Sequence, residues 1–176
     1  FGDRVRHAAR RWGAARVGVF LGTSTSGILQ TEVAYRHRDA ATGALPPTLH
    51  YATTHNSYSV AGYVRAALGL AGPAYVVSTA CSSSAKVFAA AQRMIELGLV
   101  DAAVVGGVDS LCMTTLYGFK ALELTSSEIC RPWDAQRSGL SIGEAAAFAL
   151  LERDRDRDNN APMGWLLGAG GLNKVG

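Results

Sequence analysis

A short segment around Cys81, Y-V-V-S-T-A-C-S-S-S-A-K (75–86), constrains the fold of this chain more than any other. Residues 75–78 form an apolar run after a Gly-Pro breaker and indicate a buried strand. Residues 82–98 are typical of a helix that ends at a glycine. Cys81 therefore falls at a strand-to-helix turn, where free backbone N–H groups and the positive end of the helix dipole converge. Because these surroundings favour the thiolate, which is the nucleophilic form, we expect Cys81 to be a catalytic nucleophile.

Strands and helices alternate on both sides of this turn, a pattern that favours a layered α/β fold. Residues 16–21 and 101–107 are apolar without alternation, as in strands of a parallel sheet that is covered on both faces. The helix after Cys81 is apolar nearly all round, which predicts an interior location. The remaining predicted elements are helices over 3–12, 28–37 and 56–69, an ambiguous apolar segment over 111–124, a strand over 144–151 packed closely on both faces, a solvated charged segment over 152–158 and a strand starting at 165.

Composition excludes several classes of function. The net charge of the 176 residues is +3, with basic residues scattered among acidic ones, whereas nucleic-acid binding needs a concentrated basic face. No apolar run approaches the roughly 20 residues of a membrane span. The three cysteines form no C-x-x-C pair and have no neighbouring histidine, which predicts no metal site and a reduced, cytoplasmic setting.

A buried structural thiol is the alternative interpretation of Cys81. Its place at a strand–helix turn, among small residues, favours a nucleophile elbow instead. A phosphate-binding C-x5-R loop would need arginine at position 87, which is Val87, and a redox C-x-x-C pair would need cysteine at position 84, which is Ser84. None of the four histidines has the sequence context of a cysteine protease. Acyl chemistry remains, in which a thiolate accepts an acyl group from a thioester.

The segment G-T-S-T-S-G (22–27) is rich in glycine and hydroxyl side chains. Small residues let a ligand approach the backbone closely, so the loop either lines a pocket or is a tight strand-to-helix connection. The residue pattern favours neither interpretation.

Four segments carry a resemblance to a known family: V-S-T-A-C-S-S-S-A (77–85), D-A-A-V-V-G-G-V-D-S (101–110), C-R-P-W-D-A-Q-R-S-G-L (130–140) and G-E-A-A-A (143–147). In this order, they resemble the β-ketoacyl-acyl-carrier-protein synthases, in particular the elongating condensing enzymes of the thiolase superfamily. The resemblance implies a thiolase-like layered αβαβα sandwich built from two similar halves. Residues 1–176 would then form one incomplete ketosynthase domain, with most of the N-terminal half and the start of the C-terminal half.

The resemblance also implies roles for individual residues. Cys81 matches the acyl-accepting nucleophile, and its backbone N–H would be half of the oxyanion hole. Ser24 and Thr25 match a loop of the acyl pocket, and Phe119 matches an aromatic residue that lines it. The implied reaction is a decarboxylative Claisen condensation with malonyl-carrier protein, in fatty acid or polyketide-type synthesis. No metal or organic cofactor is implied beyond the phosphopantetheine arm of the acyl carrier protein, and the implied assembly is a homodimer through edge strands or a ketosynthase heterodimer.

The family's two catalytic histidines, its catalytic lysine and its glycine-phenylalanine loop have no counterpart in this sequence. We therefore expect a central fragment of a longer enzyme, inactive in decarboxylation by itself. One alternative is a non-catalytic, chain-length-factor-like subunit, but such subunits replace the nucleophile that Cys81 supplies. Another is a thiolase or other acyltransferase, against which the R-P-W-D-x-x-R and G-E-A motifs argue.

Overall fold

The structure of the protein is a computed structural model that describes residues 1–153 and Leu166. The strands are β1 (Val17–Gly22), β2 (Ala74–Val77), β3 (Ala102–Asp109) and β4 (Ala145–Glu152). The α-helices are α1 (Gly2–Trp12), α2 (Ile28–Arg36), α3 (Tyr51–Thr54), α4 (Tyr58–Ala67), α5 (Ser83–Glu96) and α6 (Met113–Ala121). The four strands form one sheet in the order β2-β1-β3-β4, which confirms the predicted α/β class.

The other predicted elements up to residue 153 are present at nearly the expected positions, and the ambiguous segment 111–124 contains helix α6. The predictions for residues 154–158 and for a strand starting at Trp165 lie outside the described residues. Within the part of the chain that the structure describes, every helix is too short or too polar to cross a membrane.

The chain divides into two compact units. The first comprises residues 1–24, 60–108 and the chain from 146, and the second comprises residues 25–59 and 109–145. The first unit therefore holds the sheet, α1, α5 and most of α4. The second unit holds α2, α3 and α6.

Strand β1 is an inner strand of the first unit and runs parallel to both β2 and β3. All six of its residues are buried, as expected for a strand covered on both faces. Val17, Val19 and Leu21 belong to a core shared with α1 and α4, whereas Phe20 belongs to a second core shared with α5. The alternation of side chains along the strand thus places an apolar layer on each face of the sheet.

Strand β4 lies beside β3 and runs in the opposite direction. The backbone N–H of Arg153, just after β4, donates to the carbonyl of Asp101, just before β3, at 2.8 Å. Near the other end of β3, a Cβ built on Gly106 would lie 2.2 Å from the carbonyl oxygen of Ala147. Residues 145–148 of β4 are exposed, so the prediction that this strand packs closely on both faces is wrong for them. The reason is that, within residues 1–153, the two apolar cores contact β4 only at residues 149–151.

A buried carboxylate connects three strands at the amino-terminal edge of the sheet. Asp101 is 6% exposed, and its carboxylate lies 2.6 Å from Nε of Arg16 and 3.0 Å from Nε of Arg153. The backbone N–H of Asp101 also donates to the carbonyl of Arg16 at 2.9 Å. Because Arg16 precedes β1 and Arg153 follows β4, this cluster fixes the ends of β1, β3 and β4 relative to one another.

Two glycines allow the first turn of α5 to lie directly against the sheet backbone. A Cβ on Gly22, the last residue of β1, would lie 2.4 Å from the backbone nitrogen of Ser84. A Cβ on Gly107, in β3, would lie 2.6 Å from Cβ of Ser84. Both distances are too short for any side chain, so only glycine permits this approach at the carboxyl ends of β1 and β3.

Helix α5 buries one face rather than its whole circumference. Ser83, Val87, Ala90 and Ala91 are buried, whereas Ala85 is exposed. The prediction of a fully interior helix is therefore wrong in the described part of the chain. The physical reason is that the sheet against which α5 packs there covers a single face of the helix.

The close approach of α5 leads to a prediction about stability. Gly22→Ala places a methyl group against the backbone of Ser84, so we expect the free energy of unfolding to fall by about 1–3 kcal/mol. Gly118→Ala is the matched control, because Gly118 lies inside α6 and a Cβ there meets no atom within 4 Å. That control is expected to gain about 0.5–1 kcal/mol, since alanine is a better helix former. Urea denaturation measures both, and equal stability of the two variants would contradict the proposed close packing.

Candidate nucleophile site

Cys81 lies in the turn between β2 and α5. Strand β2 ends at Val77, and α5 begins at Ser83 with Ser82 as its N-cap residue. The predicted strand–turn–helix arrangement is confirmed. The thiol therefore lies at the amino-terminal end of a 14-residue helix.

The three cysteines differ in their access to solvent. Cys81 is exposed, Cys130 is partly buried and Cys112 is buried. Sγ of Cys112 lies 3.1 Å from Oγ1 of Thr115, within the first turn of α6. Among the three cysteines, exposure to solvent and a position at a helix amino terminus coincide only at Cys81.

The backbone changes direction immediately before Cys81. Ala80 has a φ of 52°, in the left-handed region, where a residue with a Cβ is disfavoured by about 1–2 kcal/mol. A sharp turn of this kind between a strand and a helix presents the following side chain at the outside of the turn, as in a nucleophile elbow. The fold thus presents Cys81 rather than burying it.

Serine hydroxyl groups satisfy the backbone of this turn. Oγ of Ser83 accepts the N–H of Thr79 at 2.8 Å and donates to the carbonyl of Ala80 at 2.6 Å. Oγ of Ser82 donates to the carbonyl of Thr79 at 2.9 Å. Ser82 and Ser83 therefore stabilise the turn from within, which gives the first two of the three serines after Cys81 a local structural explanation.

Of the residues predicted to line the acyl pocket, Ser24 lies at the nucleophile turn. Its Oγ donates to the carbonyl of Ala80 at 3.0 Å. Ser24 follows β1, and the turn of Cys81 follows β2, which is parallel to β1 and adjacent to it. The carboxyl ends of such strands meet at one edge of the sheet, which brings the two loops together.

Thr25 and Phe119 belong to the second unit. Thr25 is 6% exposed, and both its N–H and its Oγ1 donate to Oδ1 of Asp109 at 3.0 Å. Its Oγ1 also accepts the N–H of Ser110 at 2.8 Å. Phe119 is partly buried on α6. These bonds support a tight connection at Thr25, and its assignment to an acyl pocket, like that of Phe119, stays a prediction.

Glu32 of α2 holds the amino terminus of α6, the helix that carries Phe119. Its carboxylate accepts the N–H of Met113 at 2.9 Å, the N–H of Thr114 at 2.7 Å and the hydroxyl of Thr114 at 2.5 Å. These hydrogen bonds, that of the Thr114 hydroxyl first, lower the pKa of Glu32 below its ordinary value. Sequence analysis missed Glu32, because no local pattern relates a carboxylate to a helix that begins 81 residues later.

The geometry assembles an exposed thiol, a helix amino terminus and a rigid turn, a combination suited to forming a covalent acyl intermediate. Across residues 1–153, no group of three or more His, Cys, Asp or Glu side chains is arranged to hold a metal ion. In the described residues, the candidate site consists of the Cys81 thiol, the backbone groups of its turn and the serine hydroxyls that hydrogen-bond them.

Comparison with known proteins identifies relatives. The family model described as the N-terminal domain of β-ketoacyl synthases matches residues 5–157. Nodulation protein E of Rhizobium meliloti is 34% identical over 140 residues, which cover 79% of this chain and 34% of that protein. The 3-oxoacyl-[acyl-carrier-protein] synthase 2 of Rhizobium meliloti strain 1021 is 33% identical over 144 residues, covering 77% of this chain and 34% of that protein. The chain thus spans about a third of the length of these curated relatives.

Solved structures share the fold. A ketosynthase from Xenorhabdus doucetiae, determined in complex with its chain length factor, matches with a TM-score of 0.74 and 37% identity, over 88% of this chain and 39% of that chain. A β-ketoacyl synthase from Burkholderia phymatum matches with a TM-score of 0.67 and 26% identity, over 79% of this chain and 35% of that chain. The predicted thiolase-like fold class is confirmed by these neighbours.

The contacts of Glu32 predict a pH dependence of stability. Because the pKa of Glu32 is lowered on folding, its ionised form stabilises the fold above its ordinary pKa, and this contribution is lost as the pH falls through the lowered value. We expect Glu32→Gln to be less stable than wild type at about pH 7, with a smaller difference below about pH 4. Urea midpoints at both pH values measure this, and a difference that grows on acidification would contradict it.

Glu123→Gln is a matched control for that experiment. Glu123 is exposed, and its side chain makes no hydrogen bond within residues 1–153. Its replacement is expected to change the urea midpoint little at either pH.

Access to the cysteines predicts selective alkylation. Iodoacetamide is expected to modify Cys81 at least about tenfold faster than Cys112, because the buried thiol reacts only after local opening. Cys130, which is partly buried, is expected to react at an intermediate rate. Peptide mass mapping of brief reactions measures the order, and label found first on Cys112 would contradict the structure.

Proposed function

This chain belongs to the β-ketoacyl synthase family, and on that premise we propose that it carries the nucleophile of a 3-oxoacyl-acyl-carrier-protein synthase. The observation that supports this proposal most directly is the exposed thiol of Cys81 at the start of α5, immediately after the left-handed residue Ala80. The pathway is fatty acid or polyketide-type synthesis. Residues 1–176 are one part of its ketosynthase domain.

The first half-reaction loads the enzyme. The thiolate of Cys81 attacks the carbonyl carbon of an acyl thioester on the carrier protein, and a new carbon–sulfur bond forms. The tetrahedral intermediate collapses, the bond to the phosphopantetheine sulfur breaks, and that sulfur leaves as a thiolate that takes up a proton. The backbone N–H of Cys81 is proposed as one donor to the oxyanion, an interaction worth about 3 kcal/mol of barrier.

The second half-reaction extends the chain. Malonyl-carrier protein loses CO₂, and the electron pair of the broken carbon–carbon bond remains on the α-carbon as an enolate. That carbon attacks the acyl carbonyl on Cys81, the carbon–sulfur bond breaks, and the thiolate of Cys81 is regenerated. The histidines and the lysine that the family resemblance implies for decarboxylation have no counterpart among residues 1–176, so we assign this step to the intact synthase and expect the chain alone to be inactive in it.

The proposed acyl pocket includes Ser24, Thr25 and Phe119. Support comes from their places in the fold: Ser24 hydrogen-bonds the turn of Cys81, and Glu32 holds the helix that carries Phe119. The hydroxyl-rich loop and α6 are therefore each held by defined contacts. Each residue thus has a defined place within its own unit, and its role in an acyl pocket is what the family resemblance implies.

The proposed partners are an acyl carrier protein and a second ketosynthase-type subunit, identical or different. Strand β2 is an outer strand of the sheet within the described residues, which leaves one edge for pairing with another subunit. The Xenorhabdus ketosynthase was solved with its chain length factor, and this supports a heterodimer as one form of the assembly. A cytoplasmic location fits the three free thiols.

The proposal predicts the behaviour of a nucleophile variant. In the intact synthase, Cys81→Ala is expected to reduce condensation of acyl- and malonyl-carrier proteins to background, because no thioester intermediate can form. Cys130→Ala is the matched control and is expected to keep activity within about twofold, as for a substitution outside the machinery. Mass spectrometry should find the acyl group on Cys81 of the control. Normal product formation by Cys81→Ala would contradict the proposal that Cys81 is the nucleophile.

A further inference from the structure

We propose that Ser83 is a positioning residue for Cys81, and that Ser24 supports it through the same backbone carbonyl. The proposal rests on the proposed function of Cys81. The sequence position of Ser83, two residues after Cys81, does not reveal this role. Its side chain contacts residues that precede Cys81 in the turn, and only the structure shows those contacts. The proposal also gives Ser24 a role distinct from lining a pocket.

Ser83 bridges the two sides of the turn. Its Oγ accepts the N–H of Thr79 at 2.8 Å and donates to the carbonyl of Ala80 at 2.6 Å. The backbone N–H of Ser83 donates to the same carbonyl at 3.1 Å. One residue therefore fixes the peptide group before Thr79 and the peptide group after Ala80. These two groups bracket Ala80, the residue with the left-handed φ that precedes Cys81.

The burial of Ser83 makes its hydroxyl difficult to replace. The residue is 3% exposed, so water has little access to the groups that its hydroxyl satisfies. Removal of this oxygen leaves the N–H of Thr79 without its partner in a buried setting, where an unsatisfied donor is costly. The turn must then rearrange, and Cys81 moves with it.

Ser24 acts on the other side of the same acceptor. Its Oγ donates to the carbonyl of Ala80 at 3.0 Å, from the loop after β1. The carbonyl that precedes Cys81 thus receives two hydroxyl donors from different segments of the chain. Ser24 is exposed, so water can partly replace its hydroxyl, and its contribution to positioning is smaller than that of Ser83.

The position of the sulfur atom matters because acyl transfer needs a near-attack geometry. A displacement of about 1 Å can cost about a hundredfold in rate. A positioning residue acts on the chemical step, so its loss lowers kcat and leaves KM nearly unchanged. A residue that lines the acyl pocket has the opposite signature, a raised KM.

The test compares Ser83→Ala with Ser84→Ala in the intact synthase. Ser84 is the matched control: it lies in the same turn of α5, is exposed, and its hydroxyl makes no side-chain hydrogen bond within residues 1–153. Ser83→Ala is expected to lower kcat by about tenfold to a hundredfold with KM within about twofold, and to slow alkylation of Cys81 by iodoacetamide. Ser84→Ala is expected to lower neither rate by more than about twofold.

Ser24→Ala supplies an independent measurement, including the case in which Ser83→Ala does not fold. It is expected to lower kcat by a few fold, and this fall in kcat measures positioning separately from any rise in KM that a place in the acyl pocket would cause. In the double variant Ser24→Ala/Ser83→Ala, the two losses are expected to be non-additive, because both hydroxyls act on one carbonyl. A raised KM at constant kcat in Ser24→Ala would overturn its positioning role.

The outcomes separate this inference from the proposed function. If the wild-type synthase forms no 3-oxoacyl product, the proposed function fails, and the alkylation rates of Cys81 still test the positioning of its thiol. If wild type is active and Ser83→Ala matches Ser84→Ala in kcat and in alkylation, the positioning role is overturned. A lower melting temperature with both rates unchanged would show that Ser83 serves folding only.

Discussion

The contact between the first turn of α5 and the sheet backbone is the constraint on which the site depends. Gly22 and Gly107 leave no room for a side chain at this contact, so the helix begins at the carboxyl ends of β1 and β3. The helix amino terminus therefore lies at the carboxyl-terminal edge of the sheet, where the loops that follow the parallel strands also lie. The close packing of α5 on the sheet therefore determines where Cys81 lies. The same packing places Cys81 beside the helix dipole, independently of any catalytic group.

Within each unit, short polar side chains hold the loops and a helix terminus in place through hydrogen bonds. In the first unit, Ser83 and Ser24 satisfy the carbonyl of Ala80. In the second unit, Thr25 hydrogen-bonds Asp109, and Glu32 accepts from the amino terminus of α6. Both arrangements connect segments that are far apart in sequence through short polar side chains. Such bonds suit loops that must keep a defined shape without a large apolar core beneath them.

Sequence reasoning found the features that are encoded locally. The strand, the turn and the helix around Cys81 follow from apolar runs and breakers, and so do the buried parallel strands. The one-sided burial of α5 could not be predicted, because apolar composition does not reveal how much partner surface is present. The role of Glu32 could not be predicted either, because its contact with Thr114 depends on tertiary structure alone. The pocket assignments of Ser24, Thr25 and Phe119 came from family resemblance, and they stay predictions.

The cluster around Asp101 has a consequence for how such a protein can diversify. Its ion pairs with Arg16 and Arg153 fasten three strands at the amino-terminal edge of the sheet, whereas Cys81 follows the carboxyl-terminal edge. The ion-pair cluster and the proposed acyl chemistry are thus separated by the length of the strands. Loops at the reactive edge can change in sequence and length while strand register is held from the opposite end. Under the proposed function, evolution can therefore alter substrate choice without rebuilding the scaffold.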